Sequence, residues 1–264
     1  LENRFGTNCL KWDGLKSRFG NENLIAMWVA DMDFKAPQPV IDALKERVNH
    51  GIFGYNIIPD SYYEAFINWE KEKHGYNVKK EWIRFSPGVV PALFWFINIL
   101  TNPGDSCIVM GPVYYPFHDA IKENERKLIF NNLKNDNGIY TIDFEKFEED
   151  IIENQVKLFI LSSPHNPIGR VWTKEELKRV LDICKANDVF VLADEIHQDI
   201  IIGDKKQIPA ATIGNYDDIL VTLTAATKTF NLASCQNSFV VIPNDEIREK
   251  FDKYYNSIGG DNGN

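Results

Sequence analysis

The chain has no basic excess: 29 Lys and Arg stand against 38 Asp and Glu, for a formal net charge of −9. Proteins that bind duplex nucleic acid carry a Lys/Arg stripe or patch, and none is visible, so neither nucleic acid nor an anionic membrane is an expected partner. Long apolar runs are also missing. The longest, residues 89–100, contains Pro91 and Asn98 and falls short of the roughly 18 residues of a membrane-spanning candidate. Cysteine is scarce: Cys9, Cys107, Cys184 and Cys235 lack CxxC or metal-like spacing. They read as small apolar core residues kept reduced, which points to a reducing, cytoplasmic compartment. No metal centre is expected. No basic segment followed by an apolar one opens the sequence, and there are neither repeats nor low-complexity linkers.

What is present is ordinary globular material, 44% hydrophobic and 25% charged over 264 residues, enough for one or two domains. Residues 28–34 lead into Pro37 and Pro39 and read as a short extended piece and loop. A helix opens at residues 39–44, with apolar positions at 40, 41, 44 and 48, and is broken by Gly51 and Gly54. A second helix is expected over residues 62–74. From residue 85 helices alternate with continuous apolar runs at 107–110, 157–161, 189–193, 219–223 and 239–242. Such runs fit strands buried on both faces of a mainly parallel sheet. Between them, Thr173 with Glu176 forms a capping box that starts a helix over residues 173–186. Alternating strands and helices imply a layered α/β domain, whose ligand sits at the carboxyl ends of the strands.

Four loops at such positions carry chemistry. Asp194 and Glu195 follow the 189–193 run, ahead of His197. A carboxylate there is costly to bury unpaired; it reads either as a cap or salt bridge, or as the partner of a protonated ring nitrogen. Lys228 lies in Thr224-Ala225-Ala226-Thr227-Lys228-Thr229-Phe230-Asn231, among small and apolar neighbours. It reads either as a lysine reaching out of a loop to water or as an amine able to form a Schiff base. Pro164-His165-Asn166-Pro167-Ile168-Gly169 is turn chemistry that also projects Asn166 rigidly. Ser86-Pro87-Gly88-Val89-Val90 leads into a helix whose free N–H groups suit an anion.

Taken together and in this order, these motifs resemble the aspartate aminotransferase superfamily, the fold type I pyridoxal 5′-phosphate enzymes. Within it the sequence is most similar to the branch of cystathionine β-lyases and related C–S lyases. That likeness rests on residues 28–34, Phe53-Gly54-Tyr55, Asp194 to His197, Lys228 to Leu232 and residues 259–264. The resemblance implies a three-layer α/β/α large domain with a mainly parallel sheet over residues 53–264. Residues 1–52 would belong to a smaller α+β domain.

Further roles follow from the resemblance alone. Lys228 bonds the cofactor and moves the substrate's α-proton. Asp194 pairs with the ring nitrogen, and Tyr114 stacks on the ring. Asn166 meets the phenolic oxygen and, with Ala30, the substrate, while His197 lies near that oxygen. Val89 and Val90 present N–H groups to the phosphate, with Thr227 as a further ligand. Tyr55 reaches the phosphate of a second subunit, implying a homodimer. His197 stands where many aminotransferases carry Tyr, Ala225 where many carry a phosphate-binding Ser, and Gln236 where many carry Arg. The first departure favours a lyase.

The expected activity is a C–S β-lyase releasing pyruvate, ammonia and a thiol from cystathionine or a similar cysteine thioether, a small amino-acid substrate. The alternatives are an aminotransferase and a regulatory protein that keeps the fold. Leu1 in place of Met, and an end directly after a helical pattern, raise the expectation that the remainder of the small domain, with an arginine for the substrate carboxylate, lies outside these residues.

Overall fold

The computed structural model describes residues 2–260. They form two compact units, 2–54 with 226–236, and 55–225 with 237–260. The first unit opens with α1 (Leu10–Asp13), α2 (Leu15–Phe19) and α3 (Gln38–His50). The third of these carries Pro39 in its first turn, and Gly51 ends it with φ 74°, a left-handed C-cap that glycine adopts without a Cβ penalty. Residues 28–34 form neither helix nor strand.

The second unit starts with α4 (Asp60–Trp69), which widens into a π turn over Glu70–His74 and stops at Gly75; the sequence reads this as one helix. Then follow β1 (Ile83–Ser86), α5 (Val89–Leu100), β2 (Ser106–Gly111), α6 (Pro116–Glu123) and β3 (Lys127–Asn132). A hairpin of β4 (Lys134–Asp136) and β5 (Ile139–Thr141) leads to α7 (Phe144–Glu153), β6 (Val156–Ser162), α8 (Lys174–Ala186), β7 (Phe190–Asp194) and β8 (Leu220–Thr224). The short α9 (Ala226–Thr229) belongs to the first unit, while β9 (Ser238–Val241) and α10 (Asp245–Ser257) return to the second.

Seven strands form one sheet in the order β1-β9-β8-β7-β6-β2-β3. The pairs β2–β3, β2–β6, β6–β7 and β7–β8 are parallel, whereas β9 is antiparallel to both of its neighbours. Two reversals restore direction, so β1 runs the same way as β8. The carboxyl ends of β1, β2, β6, β7 and β8 therefore share one edge.

Both faces of the sheet are covered. Ile108, Phe159, Leu161, Val191 and Ala193 pack with Phe147 and Ile151 of α7 and Leu177 and Leu181 of α8. Val109, Ile160, Leu192 and Leu223 pack with Leu93 and Phe96 of α5, Phe117 of α6 and Phe251 of α10. This three-layer arrangement explains why the strands are apolar at consecutive positions rather than alternate ones. It is also why β9 looks like its parallel neighbours in sequence: burial on two faces erases the alternation that marks many antiparallel strands.

The α8 start is built as the sequence implies. Thr173 Oγ1 accepts from the Glu176 N–H at 3.1 Å, and Glu176 Oε2 accepts from the Thr173 N–H at 2.8 Å. Thr173→Ala is expected to cost about 1 kcal/mol of stability, measured by equilibrium urea unfolding, with Thr173→Ser restoring most of it.

Candidate active site

Strand polarity delivers most of the candidate residues of the second unit to one sheet edge. Asp194 ends β7, opposite Ser162 of β6 and Leu223 of β8. Side chains alternate along a strand, so Asp194 shares the face of Leu192, the face covered by α5. It is buried; one carboxylate oxygen accepts from the Ile196 N–H at 3.2 Å, and its carbonyl accepts from the Ser163 N–H at 3.0 Å.

The loop after β6 is closed at several points. The Asn166 N–H donates to Ser162 Oγ at 3.0 Å. The His165 N–H donates to the Arg170 carbonyl at 2.7 Å, and the Gly169 N–H to the His165 carbonyl at 2.8 Å. Arg170 Nη2 then donates to both carboxylate oxygens of Glu176, at 2.6 and 2.7 Å, and its Nη1 donates to the Tyr140 carbonyl. Charge-assisted hydrogen bonds are short and strong, so the Asn166 loop is tied to the start of α8. Asn166 and the half-buried His197 together line a cavity of about 260 Å³, with His165 and Ile200 in its wall.

Tyr114 follows β2 and is half-buried, its ring edge-on to Phe117 at 5.8 Å between centroids. Burial pushes its hydroxyl up from the ordinary tyrosine range, and the charges of Tyr115 and Asp194 push the same way. Gly111 before it admits no side chain, because a Cβ there would meet the Phe130 ring at 1.9 Å. At the end of β1, Gly88 is the N-cap of α5 and no side chain caps that helix. The Val89 and Val90 N–H groups lie in its first turn, where the helix dipole favours an anion. Tyr55 is almost fully exposed.

Lys228, Thr227 and Ala30 belong to the first unit. Lys228 sits in α9, four residues beyond the end of β8, and is half-buried, while Thr227 is buried. Thr227 accepts from the Leu232 N–H at 2.8 Å. Asn231, at φ 57°, in the left-handed region that asparagine tolerates, then joins two of the sequence motifs. Its Oδ1 accepts from the Met32 N–H at 3.0 Å, and its Nδ2 donates to the Met32 and Phe34 carbonyls at 2.9 and 2.8 Å. Ala30 lies exposed in the same loop.

The acidic residues of that loop are occupied within the unit. Arg4 pairs with Asp31 and Asp33, Lys11 with Asp33, and the Trp12 indole N–H donates to Asp33. Those bonds, the Trp12 one foremost, hold the Asp33 carboxyl down at about 2. Residues 261–264 of the Gly-rich end motif lie outside the described residues.

Sequence reasoning missed what stands behind Asp194. Glu70 and Glu195 are buried, and Gln198 Nε2 donates to Glu70 Oε1 at 2.6 Å. Nothing local flags Glu70, which looks like one more charge on a surface helix. Burial pushes its carboxyl up to about 7, against the His74 charge and the Gln198 bond, which lower it.

The fold is an open α/β sheet, a class whose ligands bind outside the carboxyl ends of the strands. Residues 22–257 match the aminotransferase class I and II family, and the chain belongs to that family of pyridoxal 5′-phosphate enzymes. It is 42% identical over 262 residues to cystathionine β-lyase PatB of Bacillus subtilis (strain 168), covering 98% of this chain and 68% of that relative. A pyridoxal-phosphate-bound structure from Clostridium difficile 630, described provisionally as an aminotransferase, matches with a TM-score of 0.95 and 43% identity over 98% of this chain and 67% of its own. Cystalysin of Treponema denticola, which contains the cofactor, matches with a TM-score of 0.92 and 37% identity over 97% and 66%. The chain thus spans about two thirds of the length of these relatives. No helix among the described residues is long and apolar enough to cross a membrane.

A folded-state carboxyl raised above its ordinary value stabilises the protein most at low pH and loses that contribution as pH rises. For Glu70 the loss falls between about 4.5 and about 7, worth about 3 kcal/mol. Glu70→Gln is expected to flatten the decline of unfolding free energy across that window, read by urea titration at stepped pH.

Proposed function

We propose that this protein is a pyridoxal 5′-phosphate-dependent C–S β-lyase acting on cystathionine or a related cysteine thioether. The observation that carries the reading is the buried carboxylate of Asp194 at the end of β7, on the face covered by α5.

The residues present fit the cofactor by donor chemistry. Asp194 offers a carboxylate to a protonated ring nitrogen, and the uncapped first turn of α5, with the Val89 and Val90 N–H groups, suits a phosphate. Asn166 offers an amide to the phenolic oxygen, Tyr114 an aromatic face, and His197 a ring nitrogen in place of the tyrosine of many aminotransferases. Lys228 supplies the amine that bonds the cofactor, and Thr227 a hydroxyl. We further assign Ala30 and Asn166 to the substrate, residues 1–52 to a small domain and residues 53–264 to the large one. Tyr55 is assigned to the phosphate of a second subunit in a homodimer, its exposure being what such a contact requires. A cytoplasmic location fits the four unpaired cysteines.

When bound, the cofactor accepts the electron pair of the broken Cα–H bond. Asp194, held on its strand end, keeps the ring nitrogen protonated and so sustains that capacity. Lys228 takes the proton from the substrate's α-carbon. Loss of thiolate from the β-carbon followed by hydrolysis balances as thioether plus water giving pyruvate, ammonia and thiol. The rigid Asn166 loop keeps the substrate from tilting.

Lys228→Ala is expected to abolish the borohydride-reducible adduct and the turnover of cystathionine. Asp194→Ala should retain some cofactor and lose at least roughly a hundredfold in kcat. Pyruvate is the expected product; glutamate formed from 2-oxoglutarate would make the protein an aminotransferase instead. A monomer by light scattering with full activity would remove Tyr55 from the site.

A further inference from the structure

We propose that Glu195, with Glu70 and Gln198 behind it, is a positioning residue that fixes the turn carrying Asp194 and His197. This inference rests on the cofactor reading above for its consequence, and on geometry for its substance.

The Glu195 N–H donates to the Leu223 carbonyl at 2.8 Å, which extends the β7–β8 ladder by one residue. Adjacent side chains on a strand point to opposite faces, so Asp194 faces the α5 side and Glu195 the other. There Glu195 is fully buried, and one carboxyl oxygen accepts from the Ala210 N–H at 2.7 Å. The other has no protein partner, and no ion pair to Glu195 occurs among the described residues. Its carbonyl accepts from the Gln198 N–H at 2.9 Å and from Thr224 Oγ1 at 3.4 Å. Gln198 Nε2 reaches Glu70 Oε1 at 2.6 Å and Thr224 Oγ1 at 3.1 Å. The turn is thus fastened to the Ala210 segment, to β8 and to the end of α4.

The surroundings of Glu195 disfavour its charged form. The charges of Glu70 and Asp194 act on Glu195, and Glu195, Asp217 and Glu70 act in turn on the buried hydroxyl of Tyr76. His74 and Asp199 hydrogen-bond each other at 2.8 Å next to Glu70. Burial pushes the Glu195 carboxyl well up, the charges of Glu70 and Asp194 add to this, and the Ala210 bond opposes it. A charged carboxylate without a cation is far costlier to bury than a neutral, hydrogen-bonded one. Glu195 therefore anchors the turn as the acid and puts no second negative charge behind Asp194.

The test uses the purified protein and three variants, with amide hydrogen exchange at Ile196 and Gln198 and the dissociation constant of pyridoxal 5′-phosphate as readouts. Glu195→Leu keeps the bulk and removes both carboxyl oxygens, with them the bond from the Ala210 N–H. It is expected to speed exchange at Ile196 and Gln198 roughly tenfold, leave the β6 amides unchanged, and weaken cofactor binding by a similar factor; Glu195→Gln is expected to restore both. If Glu195→Leu does not fold, Gln198→Met cuts the link to Glu70 and is read in the same way. A folded Glu195→Leu or Gln198→Met protein with wild-type exchange in the turn and wild-type cofactor affinity overturns the proposal. A wild-type protein that binds no pyridoxal 5′-phosphate refutes the cofactor reading instead, and turn exchange in the variants still decides the role of Glu195.

Discussion

Strands that run in one direction deliver whatever follows them to one edge of the sheet, and the proposed site depends on that constraint. β2, β6, β7 and β8 are parallel, and β1 regains their direction through two antiparallel steps across β9. Segments far apart in sequence, at Gly88, Tyr114, Asn166 and Asp194, therefore emerge on the same side. Helices on both faces make this possible, because only a sheet covered twice can consist of strands apolar at every position.

At that edge several buried polar groups have specific protein partners. Asp194 is braced by the Ile196 and Ser163 amides. Asn166 is held through Ser162 and the ion pair of Arg170 with Glu176. Glu195 uses the Ala210 N–H, and Glu70 uses Gln198. The side chains that fit the cofactor thus stand on backbone that is already fixed, and pre-organised groups reorganise little when charge develops. In the first unit Asn231 does comparable work, tying the Lys228 segment to Met32 and Phe34.

Two kinds of carboxyl behave differently for a physical reason. Asp33, bonded to the Trp12 indole, Arg4 and Lys11, is held down as a carboxylate. Glu70 and Glu195 are buried with no Lys or Arg paired to them among the described residues and are pushed up. Burial and partner chemistry, not residue type, set the direction in which each acid moves.

Much was legible in the sequence. The five apolar runs became β2, β6, β7, β8 and β9, the capping box at Thr173 formed in both directions, and the motif residues fell after strand ends. These are local properties, written in apolar runs, turn residues and caps. β1 and β3 escaped because they are short or polar-flanked edge pieces, and the direction of β9 escaped because two-sided burial removes the pattern that would reveal it. Glu70, the partner of Gln198 across 128 residues, could not be read from its neighbours at all. The sequence by itself determined most strands of the sheet and the cofactor chemistry it resembles, and it offered the residues proposed for that chemistry. Only the tertiary structure decided which acids lie without a cation and which loops are tied down, because burial and pairing are made by contacts between distant segments.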